Sequence, residues 1–161
     1  MELRAKQLAA QVQKLRKSSG LVVGDKVEIF YKCSNDDDAN LISKSLNAHK
    51  ESIVNRLRGL PISADLQSKN AIIIGSEDIK DTDIAKKPFL LTLARPMIAV
   101  DRTALEATGI QGETLDGAVM YLETMKNVGD NVNVTVDGTK LALKRNIHYY
   151  ESAQMLYNSK N

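Results

Sequence analysis

Along residues 1–19, MELRAKQLAAQVQKLRKSS, the apolar positions Leu8, Val12 and Leu15 fall at i, i+4 and i+7, the period of a helix. Gly20 stands where a left-handed cap would end that helix, and Arg16 and Lys17 lie in its last turn, beside the negative end of the dipole. The period then changes to two. In KVEIFYKC (26–33), Val27, Ile29, Tyr31 and Cys33 alternate with Lys26, Glu28, Phe30 and Lys32, which predicts a strand entered through a turn at Gly24-Asp25. NDDDAN (35–40) supplies several N-caps for a second helix running to about Arg58. Ile42, Leu46, Ile53 and Leu57 lie near one face of it, His49 sits between them, and Gly59 and Pro61 stop it.

Farther on, LPISADL (60–66) reads as a short extended piece, and AIIIG (71–75) as a compact apolar strand. SEDIKDTDIAKKP (76–88) is polar and reads as a surface loop. FLLTLARPMIAVD (89–101) is extended, with Pro96 arguing for an edge or a bulge. A short helix is predicted over 102–108, a break at GIQG (109–112), and a helix from Leu115 to Lys126. NVNVTVDGTKLALKR (131–145) is a hairpin, because two alternating runs flank Asp137-Gly138, a pair suited to a tight primed turn. A closing helix is expected over 146–158. The sum is an α+β fold with a mainly antiparallel sheet packed with helices. The expected division is 1–75 as one subdomain and 89–161 as a second α+β subdomain, either separate or packed with the first as one unit, with 76–88 as a surface loop. Residues Met1 to Leu3 carry no Ser, Thr, Asp or Asn cap, so the first helix is expected to continue from a preceding helical domain.

Composition narrows the function. Of 161 residues, 43% are hydrophobic and only 4% aromatic, with no Trp, so the core must be aliphatic. A net charge of +2 is too small to announce a nucleic-acid partner, so such a role would need locally clustered charge. The single cysteine, Cys33, rules out an internal disulfide and a cysteine-based zinc site, and suits a reducing, cytoplasmic setting. No apolar run approaches the roughly 20 residues of a membrane-spanning helix, so no membrane partner is expected.

Catalytic chemistry has little to stand on. His49 and His148 have no ligand-type neighbours at metal spacing, and His49 reads as a structural histidine. Asp36, Asp37 and Asp38 lack the glycine and distal Glu of a calcium loop and suit helix capping. No phosphate-binding glycine loop and no nucleophile elbow is present, so neither a catalytic residue nor a bound cofactor or metal is expected in this chain. Two features remain. Arg4, Lys6, Lys14, Arg16 and Lys17 crowd the first helix against the single acid Glu2, and Lys32, Lys50 and Arg56 follow. They read either as solvated surface or as contacts to nucleic-acid phosphates. The other feature is GIQG between two helices and before a hairpin, the order in which KH domains clamp a nucleic-acid backbone; the alternative is a glycine-capped helix–helix turn. No basic residue stands in or beside that loop.

VQKLRKSSGLVVGDKVEIFYK (12–32) resembles a segment of cytosolic, eukaryotic-type isoleucyl-tRNA synthetases. Gln13, Leu15, Arg16, Lys17, Leu21, Val22, Asp25, Val27, Ile29 and Tyr31 carry the likeness. LISKSLNAHKESIVNRLRGLPI resembles that family's next helix, through His49, Ile53 and the proline exit, so the resemblance covers about residues 8–62. It implies a parent enzyme, a class I ligase, that uses ATP in its catalytic domain to charge tRNA(Ile). The family's HIGH and KMSKS signatures are not in this sequence. The resemblance therefore implies a C-terminal domain placed after the anticodon-binding bundle, noncatalytic in itself. Its partners would be tRNA(Ile), the other domains of the same enzyme, and other synthetases.

Overall fold

The computed structural model describes residues 2–22, 24–126 and 129–160. The fold is α+β, and the chain forms two compact units: residues 1–67 with 71–95, and residues 68–70 with 96–161. The segment 76–88, expected as a surface loop, lies inside the first unit.

The first unit begins with α1 (Leu3–Ser18), which ends as its sequence predicts: Gly20 takes φ +78°. Its buried stripe is Ala5, Leu8, Ala9, Val12 and Leu15. β1 (Glu28–Lys32) follows. The alternation along this segment predicts one inward face, but Ile29, Phe30 and Tyr31 are all buried, because both faces of the sheet are covered at β1. The predicted single helix to Arg58 is two helices, α2 (Asp36–Ala48) and α3 (Lys50–Leu57), broken at His49 with φ −123° and ψ 28°. Arg58 itself, not Gly59, adopts the left-handed conformation that closes α3, with φ 59°.

β2 (Ile62–Ser63), a 3-10 turn at Ala64–Leu66, β3 (Ile73–Ile79) and β4 (Phe89–Ala94) complete this unit. The sheet order is β2-β1-β4-β3; β1 and β2 are parallel and the other pairs antiparallel. Residues 76–79, expected in a loop, are therefore strand. Ser76, Glu77 and Asp78 are exposed there because β3 is an edge strand, while Ile79 is buried. Conversely, Ile72 and Ile73 of the apolar run are 57% and 46% exposed. Pro96 falls after β4, which is paired on both sides, and so ends the strand without lying on an edge.

A register shift between Ile73 and Gly75 brings β3 close to the end of α1. A Cβ at Gly75 would collide with Ser19 Oγ and lie 3.3 Å from Ser19 Cβ. Gly75→Val is therefore expected to cost about 1–3 kcal/mol through overpacking. In a Ser19→Ala background Gly75→Ala should cost less than in the parent chain, since the colliding hydroxyl is gone; denaturant unfolding of the four proteins reads the coupling.

In the second unit, β5 (Ala99–Val100) leads to α4 (Arg102–Glu106), capped by Asp101, whose Oδ1 accepts from the Ala104 amide at 3.2 Å. α5 (Gly112–Glu123) follows the GIQG turn. β6 (Asn131–Val136) and β7 (Thr139–Lys144) are the predicted hairpin, and Asp137 and Gly138 take φ 48° and 77°, as a primed turn requires. The predicted closing helix is shorter: β8 (Tyr149–Tyr150) pairs with β5 first, and α6 (Ala153–Lys160) starts after it. Ile98, Leu105, Leu115, Leu122, Leu143 and Tyr149 are the centre of an aliphatic core around one tyrosine.

Candidate nucleic-acid interface

The face of α1 opposite its buried stripe carries Lys6, Ala10, Gln13, Lys14 and Lys17, all exposed, at i, i+4, i+7, i+8 and i+11. One apolar stripe and one basic stripe thus follow from a single helical period. From Lys6 to Lys17 the stripe runs about 16 Å at 1.5 Å per residue. Arg56 of α3 joins it: its Nη2 donates to Gln13 Oε1 at 3.1 Å. The ion pairs Arg102–Asp116, Arg145–Asp130, Arg145–Glu151 and Lys160–Asp101 all lie in the second unit. Charge is uneven between the units. The first has 15 basic and 12 acidic residues; the second has 7 and 8.

Arg4 and Arg16 are turned to backbone carbonyls instead. Arg4 Nε donates to the Ile84 carbonyl at 2.9 Å, and Arg16 Nη2 to the Asp25 carbonyl at 2.9 Å. Both arginines flank the buried stripe and hold backbone: Arg4 the loop before β4, Arg16 the turn before β1. Lys32 is exposed at the end of β1, and Lys50 is exposed at the start of α3. Of the eight sequence-predicted residues, the structure therefore gathers Lys6, Lys14, Lys17 and Arg56.

The GIQG turn takes shape as a packed helix–helix connection. Gly109 and Gly112 adopt φ 102° and 63°, where a side chain would be strained. Ile110 is sunk in the core, and the exposed neighbours Gln111 and Glu113 bring no positive charge.

Asp38 is the residue that sequence reasoning undervalued. It is 2% exposed, unlike Asp36 and Asp37. Asn35 caps α2 by accepting from the Asp38 amide at 2.8 Å and donates from Nδ2 to Asp38 Oδ2 at 2.9 Å. The amides of Lys86 and Lys87 donate to the same carboxylate at 3.0 and 3.2 Å. The Asn35 side chain, aided by these amides and the Lys86 charge, holds the carboxyl below its ordinary value despite burial. Cys33, nearby, is pushed up to about 11 by burial and by the Asp38 charge, so it is a neutral thiol and a poor nucleophile at neutral pH. His49 accepts from the Glu2 amide at 3.4 Å, and Glu2 Oε1 accepts from the Ser45 hydroxyl, which fastens the start of α1 to α2. Among the described residues no three His, Cys, Asp or Glu side chains gather as a metal ion would need. None of the described helices is long and apolar enough to cross a membrane.

No family model matches the chain. It is similar to a cytoplasmic isoleucine–tRNA ligase of Arabidopsis thaliana, with 27% identity over 143 residues. The match takes in 78% of this chain and spans 12% of the length of that ligase, so the likeness is to one segment of a much longer enzyme.

Proposed function

We propose that the chain is a noncatalytic C-terminal segment of an isoleucine–tRNA ligase, and that its first unit helps dock tRNA(Ile) by backbone contact. In this reading ATP and the aminoacylation chemistry belong to other domains of the same enzyme. The observation that carries it is the basic stripe of α1: three lysines on one exposed face, with Arg56 fixed beside them by Gln13. Cations held in a row by a rigid helix neutralise phosphates and release counterions, which makes affinity salt-dependent. The likeness to a ligase segment supports tRNA(Ile) as the RNA in this reading.

Binding of tRNA(Ile) by the 161-residue chain is expected to be weak and to fall on the order of 100-fold between 50 and 200 mM salt if about four phosphates are contacted. The triple variant Lys6→Gln, Lys14→Gln, Lys17→Gln should lower low-salt affinity at least tenfold and flatten the salt slope by about 2–3. Fluorescence anisotropy across a salt series reads both. An unchanged slope in the triple variant would remove α1 from the interface, and no binding even at low salt would remove the tRNA reading for this chain.

Ile72 and Ile73, exposed where the edge strand β3 begins, favour a second reading. An apolar sheet edge invites protein contact, so this edge would face another domain of the ligase or another synthetase.

A further inference from the structure

We infer that the RNA element held by α1 is a double-helical stem, recognised by its phosphates and shape, and not an unpaired loop read by its bases. This rests on the reading of the α1 stripe as an RNA-backbone surface and deepens it. Three observations in the first unit point the same way.

The first is what this unit lacks at its surface. Proteins that hold unpaired RNA stack its bases on aromatic side chains. The aromatic residues of the first unit are Phe30, Tyr31 and Phe89, and they are 1%, 5% and 2% exposed. All three are core residues of the sheet, so none of them is available as a stacking platform, and the half-buried His49 ring is engaged by the Glu2 amide. The second is the chemistry of the stripe itself. Between its cations stand Ala10, which has no polar atom on its side chain, and Gln13, whose carbonyl already accepts from Arg56. A surface that reads base edges needs donors and acceptors free to discriminate. This one presents mainly point charges and a methyl group, with the Gln13 amide nitrogen as a neutral donor among them.

The third is rigidity. α1 is a continuous helix of 16 residues with five buried side chains anchoring its inner face. Its charges are therefore held in a fixed row of about 16 Å. A duplex offers phosphates at fixed spacing, so a preformed row meets them without ordering the RNA first. An anionic membrane would fit the charge but not the surface: lipid-surface helices bury an apolar face among the headgroups, and the apolar face of α1 is committed to the protein core.

The test uses the 161-residue chain with labelled tRNA(Ile) at low salt, and three competitors matched in phosphate concentration. They are a 16-base-pair RNA duplex, a 32-nucleotide oligouridylate, and vesicles of phosphatidylcholine with phosphatidylserine. The duplex is expected to displace tRNA at least tenfold better than oligouridylate or vesicles. The Lys6, Lys14, Lys17 triple glutamine variant, with an unchanged circular dichroism spectrum, should lose direct duplex binding at least tenfold. Oligouridylate competing as well as the duplex would overturn the stem assignment while leaving tRNA contact intact. Vesicles competing better than the duplex would overturn it in favour of a lipid surface. Failure of tRNA itself to bind would overturn the underlying docking reading and this inference together.

Discussion

Asp38→Ala is expected to destabilise the first unit by about 2–4 kcal/mol, more than any other single polar change in it. The carboxylate is buried, and three groups depend on it: the Asn35 amide and the backbone N–H groups of Lys86 and Lys87. Alanine leaves the two backbone donors without their acceptor where the loop before β4 meets α2. Asp38→Asn keeps the shape and one acceptor oxygen, so it should cost less, about 1–2 kcal/mol. The pH dependence separates the charge from the packing. The carboxyl is held below its ordinary value in the folded protein. Its contribution is therefore present in full above the unfolded value, about 3.9, and is lost as pH falls from there through the lower folded value. The stability gap between the parent chain and Asp38→Asn should be widest near neutrality and should narrow below about pH 4. Denaturant unfolding at a series of pH values measures it. A gap that stays constant with pH would show that the carboxylate charge contributes nothing.

Asp38 also shows where sequence reading stops. In NDDDAN three adjacent carboxylates are equivalent as helix caps and as solvent-facing charge. Only the return of the chain at Lys86 and Lys87, 48 and 49 residues later, singles out one of them. The same limit applies to the basic residues. Periodicity alone places Lys6, Lys14 and Lys17 opposite Leu8, Val12 and Leu15, so that face was legible. That Arg4 and Arg16 are engaged by the carbonyls of Ile84 and Asp25 was not, because those acceptors are set by the fold. Arg16→Ala is consequently a poor probe of RNA contact: it would loosen the turn before β1 whether or not RNA binds.

Local chemistry decided the elements that sequence placed well. Asp137-Gly138 dictates the hairpin, and Gly20 dictates the end of α1, since both sites need φ > 0. The elements it misplaced are those settled by neighbours. AIIIG reads as strand and residues 73–75 are strand, but SEDI, which reads as loop because it is mostly polar, continues the same strand. Both belong at the edge of the sheet, where burial no longer follows hydrophobicity. The break at His49 has neither glycine nor proline to announce it, and the strand at Tyr149–Tyr150 is two residues long, too short for any period to register.

Tyr149→Ala is expected to cost about 3–5 kcal/mol, the range for truncating a buried large aromatic residue. Tyr149 is 0% exposed and is the one aromatic ring in an otherwise aliphatic cluster around Leu105, Leu122 and Leu143. Its hydroxyl donates to the Gly129 carbonyl at 2.5 Å, so the ring also holds the chain just ahead of β6. Tyr149→Phe keeps the volume and removes that bond, and at neutral pH it should cost about 1 kcal/mol. Alkaline pH narrows that difference. Burial raises the Tyr149 pKa, so the neutral phenol is favoured in the folded state. The contribution is full below the unfolded value, about 10, and is lost as pH rises from there through the folded value. Phenylalanine has no proton to lose. The deficit of Tyr149→Phe should therefore shrink above about pH 10, while that of Tyr149→Ala should remain mostly a packing loss. Hydrogen exchange should place the loss of protection in β6, β7 and α5, the elements packed on this ring's cluster. A Tyr149→Ala protein as stable as Tyr149→Phe would mean that the ring is not the centre of that core.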